Sequence, residues 1–451
     1  MMTRRIVCAA ALLMAAGVPA RAQSPVYLAL PAPVSCLSSC DAQLLRVDAD
    51  GPAVTDVWTL PASGAEGGLF RRNIQVEYVT PDGGLVVWLE PRRIGPNLAQ
   101  STLGLLDLAR SAGQVGPLSP SAYALVGHPR RPEIYFTGAT GPLALGPAGT
   151  RALAVPPACA STSPQPLVVS ADGRRVLFSC TPSATSGDAF VVDTDSGALI
   201  GSRAISGVAP VLSVDGADLY TVENGLLRRY GAGGGAVLAE TALPLTVDAR
   251  PELIRSVQVD PRSGHVFAFG LGVHVFEATT LQLVRSVVGF WADLPGGVLT
   301  SWTFDPILPR AYVTASASTT TGTPSHAYWT IDTAQLSTVW SYQIVGPLAA
   351  GPGRFVIAPR PAAPVSLSAS TVGSTVTLAW AHGTSNATVL RHVLEVGSAP
   401  GLNDIIAGLD VGLQTSFAAS GVPPGRYHVR VRAGNSTGLS APSNEVVVQV
   451  P

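Results

Sequence analysis

Six short turn motifs recur along the chain at a nearly constant interval, and no other feature limits its fold so tightly. They are Thr80-Pro81-Asp82-Gly83, Gly127-His128-Pro129, Ser170-Ala171-Asp172-Gly173, Ser213-Val214-Asp215-Gly216, Val259-Asp260-Pro261 and Phe304-Asp305-Pro306. Taking Pro81, Pro129, Ala171, Val214, Pro261 and Pro306 as corresponding positions gives steps of 48, 42, 43, 47 and 45 residues. A fixed period of this length marks a repeat architecture, in which no unit can bury its apolar surface without its neighbours.

The intervals share one internal grammar. In the fourth, Leu167-Val168-Val169, Arg175 to Phe178, Ala189 to Asp193 and Ala198 to Ile205 are four short apolar runs. The sixth has Val257 to Val259, His265 to Phe269, Val273 to Glu277 and Leu283 to Val288. The seventh has Trp302 to Phe304, Ala311 to Val313, Tyr328 to Asp332 and Thr338 to Ile344. Short β-branched runs bounded by Gly, Pro, Asp or Ser are strands. Four of them in about 45 residues is the arithmetic of a propeller blade, as in WD40-like repeats. The first interval lacks a first strand. It opens at Val26 to Leu30, which reads as a second strand, followed by Leu44 to Asp48 and Val54 to Leu60. Arg354 to Pro359, after the last interval, reads as an orphan first strand that completes the first unit from the other end. The count is then seven, with six or eight as alternatives.

The strings SADGRRVLFSC, AFVVDTDSGALI, VDPRSGHVFAFG and YWTIDTAQLSTV resemble YVTN-type, lactonase-like β-propeller repeats. In that family a strand–turn–strand with an S-P-D-G core is paired with an I-D-x-x-T-G hairpin. The resemblance covers roughly residues 26 to 360 and is eroded in the third interval, where Pro142 to Thr150 replaces the hairpin. It implies a fold and does not imply an activity.

Pro359-Arg360-Pro361-Ala362-Ala363-Pro364 is a stiff connector, with its linker core at 361–364. Residues 365–451 change grammar: Ser366 to Ala369, Thr375 to Trp380, Val393 to Gly397, the long alternating Arg426 to Ala433, and Val446 to Val448. This segment resembles a fibronectin type III domain, an immunoglobulin-like β-sandwich. Trp380 matches that family's core tryptophan and Tyr427 its tyrosine-corner residue. The fold class expected is all-β: a seven-bladed β-propeller at 26–360 and a sandwich at 365–451.

Residues 1–22 read as a signal peptide. Arg4 and Arg5 precede an uncharged 13-residue stretch from Ile6 to Val18, and Ala20-Arg21-Ala22 fits the cleavage rule. Thirteen residues are too few to span a bilayer, which needs about 20. The chain is therefore expected to be exported, to the periplasm or the extracellular space, without membrane insertion. Four cysteines follow: Cys36, Cys40, Cys159 and Cys180. In an oxidising compartment they read as two disulfides, with the spacing favouring Cys36–Cys40 and Cys159–Cys180.

Composition removes other classes. The net charge is −1 and all 28 basic residues are arginine, without a basic cluster, which excludes nucleic-acid binding. With 47% hydrophobic residues the chain is not disordered, and 47 Gly with 38 Pro leave little room for long helices.

The search for chemistry returns little. Asp82, Asp172, Asp215, Asp260 and Asp305 lie in turns, where an aspartate caps its own backbone, and Asp193 and Asp332 read the same way. There is no Gly-x-Ser-x-Gly elbow, and Gly231 to Ala236 lacks the Lys and helix of a phosphate loop. His128, His265, His274 and His326 form no HxH or HxxxH pair. No catalytic residue, metal or cofactor is expected. Counting five residues back from each turn reaches Gln75, Tyr123, Gln165, Val208, Arg255 and Thr300, the starts of the strands that line a propeller channel. Arg72, Gln75, Tyr123, Arg255 and Trp302 are the candidate binding residues on that rim, since Arg and Trp anchor polar ligands. Together these readings favour a secreted, non-catalytic binding or scaffold protein, expected to be a monomer, whose propeller face takes a protein or glycan. The type III domain would be a spacer or second contact. The alternative is a secreted hydrolase or lactonase with an accessory type III module, as in many bacterial extracellular enzymes.

Overall fold

The computed structural model describes residues 26–30, 42–47, 54–60, 75–95, 98–107, 112–117, 124–138, 140–160, 164–180, 186–244, 253–270, 272–287, 298–318, 324–345, 354–358, 360–385 and 387–451. The leader, Cys36 and Cys40, Arg72 and Tyr123 lie outside them. The regular structure of the described chain is β-strand, apart from one three-residue 3-10 helix at Pro157–Cys159. It forms two compact units, one built from Val26–Thr80 and Leu85–Ile357, the other from Pro81–Gly84 and Ala358–Pro451.

Among the described residues the first unit holds seven four-stranded antiparallel sheets. Sheet 2 is Gln75–Val79, Leu85–Gly95, Leu98–Asp107 and Ala112–Pro117. Sheet 3 is Leu125–Gly127, Ile134–Gly138, Gly141–Gly146 and Gly149–Ala152. Sheet 4 is Gln165–Val169, Arg175–Ser179, Ser186–Asp193 and Leu199–Ser206. Sheet 5 is Val211–Leu212, Asp218–Glu223, Leu226–Gly231 and Val237–Ala242. Sheet 6 is Ser256–Val259, Val266–Phe269, Val273–Phe276 and Leu283–Val287. Sheet 7 is Val298–Phe304, Arg310–Ser318, Pro324–Asp332 and Ser337–Val345. In each of these six the strands pair in chain order. Sheet 1 differs. It has Val26–Leu30, Ala42–Val47 and Val54–Leu60 in order, and its first position is taken by Arg354–Ile357 from the far end of the unit. That strand pairs Val26 with Ile357, Tyr27 with Val356, Leu28 with Phe355 and Ala29 with Arg354. The orphan strand read from the sequence thus pairs where the grammar of the first interval places it.

Each sheet is apolar on both faces, so each must be covered twice. The covering residues come from the neighbouring sheets. Tyr78 and Val87 of sheet 2 pack with Leu125 and Phe136 of sheet 3. Tyr135 and Ala144 of sheet 3 pack with Val176, Phe178 and Phe190 of sheet 4. Leu177 and Val191 of sheet 4 meet Leu219 and Tyr230 of sheet 5, and Tyr220 of sheet 5 meets Val266 and Phe276 of sheet 6. Phe267 and Phe269 of sheet 6 meet Val313 and Ile331 of sheet 7, and Tyr312 and Tyr328 of sheet 7 meet Val26, Leu28 and Leu45 of sheet 1. The first strands of sheets 1 and 2 also lie together, so the packing order returns to its start.

Arginine ties the outer parts of five successive sheets. Arg151 of sheet 3 donates to the Thr194 carbonyl in the outer hairpin of sheet 4, at 2.7 Å. Arg203 of sheet 4 donates to Gly235 O at 2.6 Å, Arg229 of sheet 5 to Thr279 O at 2.8 Å, and Arg285 of sheet 6 to Ala334 O at 2.6 Å. In every case the acceptor lies in the hairpin joining the third and fourth strands of the next sheet. The Gly231 to Ala236 run is one of these hairpins. Gly201 faces it so closely that a Cβ there would stand 2.4 Å from the Gly233 carbonyl carbon. The glycines of that run therefore admit a tight inter-sheet approach.

Cys159 and Cys180 form a disulfide with Cα atoms 5.4 Å apart, closing a separation of 21 residues. Such a loop contributes about 3 kcal/mol in the chain-entropy account.

The second unit has a three-stranded sheet, Val365–Val372, Thr375–Ala381 and Ser416–Ala419, and a five-stranded one built from Arg391–Gly397, Ile406–Gly412, Gly425–Asn435, Gly438–Leu439 and Val446–Val450. Trp380, Leu378, Leu394, Val429, Val431 and Val448 fill the space between the two sheets. The Tyr427 hydroxyl donates to Pro423 O at 2.9 Å, the geometry of a tyrosine corner.

Removing the closing strand tests its importance. A chain ending at Pro352 is expected to melt several degrees below one ending at Pro361, because sheet 1 loses a ladder whose bonds each contribute roughly 1 kcal/mol. Equal melting temperatures would contradict this role for Arg354–Ile357.

Candidate functional site

The turn positions sit at one end of the first strands, and the structure explains their residue types. Thr80, His128, Ser170, Ser213, Asp260 and Asp305 each donate a backbone N–H to the carbonyl five residues on, at 2.8–3.0 Å. All six are 9% exposed or less. Their side chains satisfy the amides of the turn in two ways. The Oγ atoms of Thr80, Ser170 and Ser213 accept from Leu85, Arg175 and Asp218, while the aspartate two residues later accepts the next free amide. Asp260 and Asp305 occupy the first of these positions and accept amides directly from Arg262, and from Ile307 and Leu308. The turn aspartates thus cap their own backbone as expected, in two registers separated by two residues. Asp193 and Asp332 cap the hairpins between third and fourth strands in the same manner.

His128 takes the aspartate's place in sheet 3. Its Nδ1 accepts the amides of Arg130 and Arg131, each at 3.0 Å. An Nδ1 that accepts must be unprotonated, so the ring is neutral with its proton on Nε2. Burial, and then the Arg131 guanidinium, pull this imidazole down to about 4. Gly173 of the next sheet closes over the ring, where its φ of +80° and a Cβ position 2.5 Å from the ring both demand glycine. Asp305 moves the other way: burial raises its carboxyl even though two amides donate to it. Glu277 is half-buried, and the Thr279 hydroxyl followed by the Thr280 amide lower it to about 2.

Five residues before the caps, the counted positions fall at one level of the first strands. Gln75 and Gln165 open their strands opposite Leu89 and Ser179. Val208 and Arg255 lie just ahead of theirs and donate to Val222 O at 3.0 Å and Phe269 O at 2.8 Å. Thr300 lies at the bulge between Leu299 and Ser301. The side chains of Gln75 and Thr300 are outside the described residues, as are Arg72 and Tyr123 altogether.

Of the five candidate rim residues, Arg255 and Trp302 both adjoin Phe269, Arg255 through its backbone and Trp302 through its ring. Arg255 is exposed, and among the described residues it has no ion-pair partner. Its backbone is bonded to Phe269, whose ring stacks on the Trp302 indole with the planes 21° apart. Trp302 is half-buried against sheet 6. Phe269 was not singled out by sequence. Its signal is its place nine residues after the Asp260 cap, the same offset that puts Ser179 and Val222 opposite Gln165 and Val208.

Glu223 is paired within sheet 5. The buried Glu223 carboxylate accepts from Arg228 at 3.0 Å and from the Tyr230 hydroxyl at 2.8 Å, and Arg203 lies over the Tyr230 ring. Among the described residues no three His, Cys, Asp or Glu side chains converge on one metal position, and no helix is long and apolar enough to cross a membrane.

No protein-family profile and no curated protein matches the chain. Solved structures do. The dihydro-heme d1 dehydrogenase NirN in complex with DHE aligns over 76% of this chain and 77% of its own, at 15% identity and a TM-score of 0.41. Citrobacter koseri AztD aligns over 95% and 99%, at 11% identity and 0.40. The FN5 domain of Drosophila Lar aligns over 20% of this chain and 97% of its own, at 20% identity and 0.18. Likenesses at these scores assign neither a ligand nor an activity to this chain.

His128 generates a pH prediction. Its pKa is lower in the folded state than the ordinary 6.5, so the unfolded chain binds the proton more tightly. Its contribution is complete above 6.5 and is lost as pH falls toward 4. Between pH 7 and pH 5 this amounts to about 2 kcal/mol. Urea unfolding at the two pH values should show that loss in the parent and a correspondingly smaller loss in His128→Asn, which keeps a capping oxygen. Equal losses in both would show that His128 is not the titrating group.

Proposed function

We propose that the protein is an exported, non-catalytic binding protein. In this reading the seven sheets are the blades of a propeller, closed by Arg354–Ile357, and the second unit is a fibronectin type III domain acting as spacer or second contact. The propeller reading is supported by the sheet order, the first strand supplied from the other end, and packing that returns from sheet 7 to sheet 1. The type III reading is supported by the Tyr427 corner and the buried Trp380. The disulfide between Cys159 and Cys180 supports export to an oxidising compartment.

The observation that carries the binding reading is the exposed Arg255 just ahead of the first strand of sheet 6, with Trp302 of the first strand of sheet 7 stacked on Phe269, to which the Arg255 backbone is bonded. The exposed Arg255 guanidinium, without an ion-pair partner among the described residues, offers planar paired donors, and the half-buried Trp302 indole offers an aromatic surface. Sugars and polar protein side chains are recognised by this combination. Arg72, Gln75 and Tyr123 are proposed to extend the same rim.

Arg255 gives the cleaner test, because Trp302 also packs against sheet 6. A panel of immobilised polysaccharides and glycoproteins is expected to retain the parent chain on at least one member. Arg255→Ala should reduce that retention about tenfold, the loss of roughly 1.4 kcal/mol, with an unchanged melting temperature. Retention unaffected by Arg255→Ala would remove Arg255 from the site. Turnover of lactones or esters by the parent would favour the hydrolase reading instead.

A further inference from the structure

The second unit carries an unexplained polar cluster. His392 lies in the Arg391–Gly397 strand and is fully buried. Neither of its ring nitrogens has a hydrogen-bond partner, and neither does the buried indole N–H of Trp380. Buried polar atoms almost always have partners, and orphaned ones call for a water or an ion. Three of them lie together here, since the Trp380 and His392 ring centroids are 5.7 Å apart, edge to face at 74°. On the other side of His392 stands a second imidazole. His382 follows the Thr375–Ala381 strand and is exposed, and its ring centroid is 5.0 Å from that of His392.

That spacing fits a shared ion. Imidazole nitrogens bind zinc-like ions at about 2.1 Å, and a ring centre lies about 1.2 Å behind its nitrogen. Two rings on one tetrahedral ion therefore stand about 5 Å apart. Two protonated imidazoles at this distance would repel, and burial followed by the His382 charge lowers the His392 pKa. Opposing these effects, the backbone at Gln414 and Gly412 lies beside His392 and raises its pKa. No carboxylate acts on His392, which distinguishes it from His428, held by Glu445 at 2.9 Å.

We propose that His382 and His392 together bind one divalent transition-metal ion of the copper, nickel or zinc class. Solvent completes the coordination on the exposed His382 side. Imidazole is a ligand of choice for these ions, and with two nitrogens and water Cu2+ is held most tightly.

The test uses the untagged full chain and Cu2+. Calorimetric titration should give one ion per chain at the tightest site, and electron paramagnetic resonance should show hyperfine coupling to two imidazole nitrogens. His382→Ala alters an exposed side chain and should leave the metal-free melting temperature unchanged. It should weaken the tightest site about tenfold or more and leave one coupled nitrogen. His392→Gln should do the same if it folds. Should it not, His382→Ala decides alone. An unchanged affinity and spectrum in His382→Ala, or no binding by the parent, would overturn the proposal and leave the cluster to ordered water.

Discussion

Everything in the first unit follows from the two apolar faces of a four-stranded sheet. A sheet covered on one side only leaves a row of Val, Phe and Tyr side chains in water, at about 25 cal/mol for each Å² exposed. Stacking sheet on sheet meets the requirement everywhere except at the two ends of the stack. The chain deals with its ends by bringing them together, so that Tyr312 and Tyr328 of sheet 7 cover Val26 and Leu28 of sheet 1. The strand Arg354–Ile357 then serves two purposes at once. It completes the ladder of sheet 1 and draws the last sheet onto the first without a covalent bond.

Close stacking raises a second problem, because the hairpins at the outer edge must approach their neighbours without burying unpaired carbonyls. The arginines answer it. Arg151, Arg203, Arg229 and Arg285 each place a guanidinium N–H on a hairpin carbonyl of the next sheet. A guanidinium has five donors in a rigid plane, so it can bond that carbonyl and still satisfy a carboxylate or water beside it, as Arg229 does with Asp218 at 2.9 Å. An ammonium is a compact, strongly hydrated point charge and suits this role poorly. The exclusive use of arginine among the 28 basic residues is consistent with this role.

The parts of this fold that were legible in the sequence are those whose chemistry is local. A Ser, Thr, Asp or His that must satisfy amides two to five residues away leaves a fixed mark, and so the period could be read from the caps. The strand pairing of Arg354–Ile357 was legible because the first interval lacked one strand and the last had one too many. What was not legible depends on residues distant in the chain. The arginine ties end on backbone carbonyls, which carry no sequence signal. Ile406–Gly412 and Ser416–Ala419 were missed as strands because much of their side-chain surface faces solvent and the apolar alternation is faint. Arg255 was found by counting from the caps and Trp302 as a neighbour of the counted Thr300, yet Phe269, which both adjoin, belongs to a different strand. His382 and His392 are ten positions apart, and only the turn between their strands makes them neighbours.

Native-state hydrogen exchange followed residue by residue tests the central claim most directly. If closure by Arg354–Ile357 is what lets the sheets cover one another, the amides that bond across the Val26–Ala29 and Arg354–Ile357 ladder should be as protected as those between Arg175–Ser179 and Ser186–Asp193 in sheet 4. They should also open only with the whole unit. Exchange of the sheet 1 ladder at the rate of a fraying terminus, while sheet 4 stays protected, would show that the stack holds without being closed.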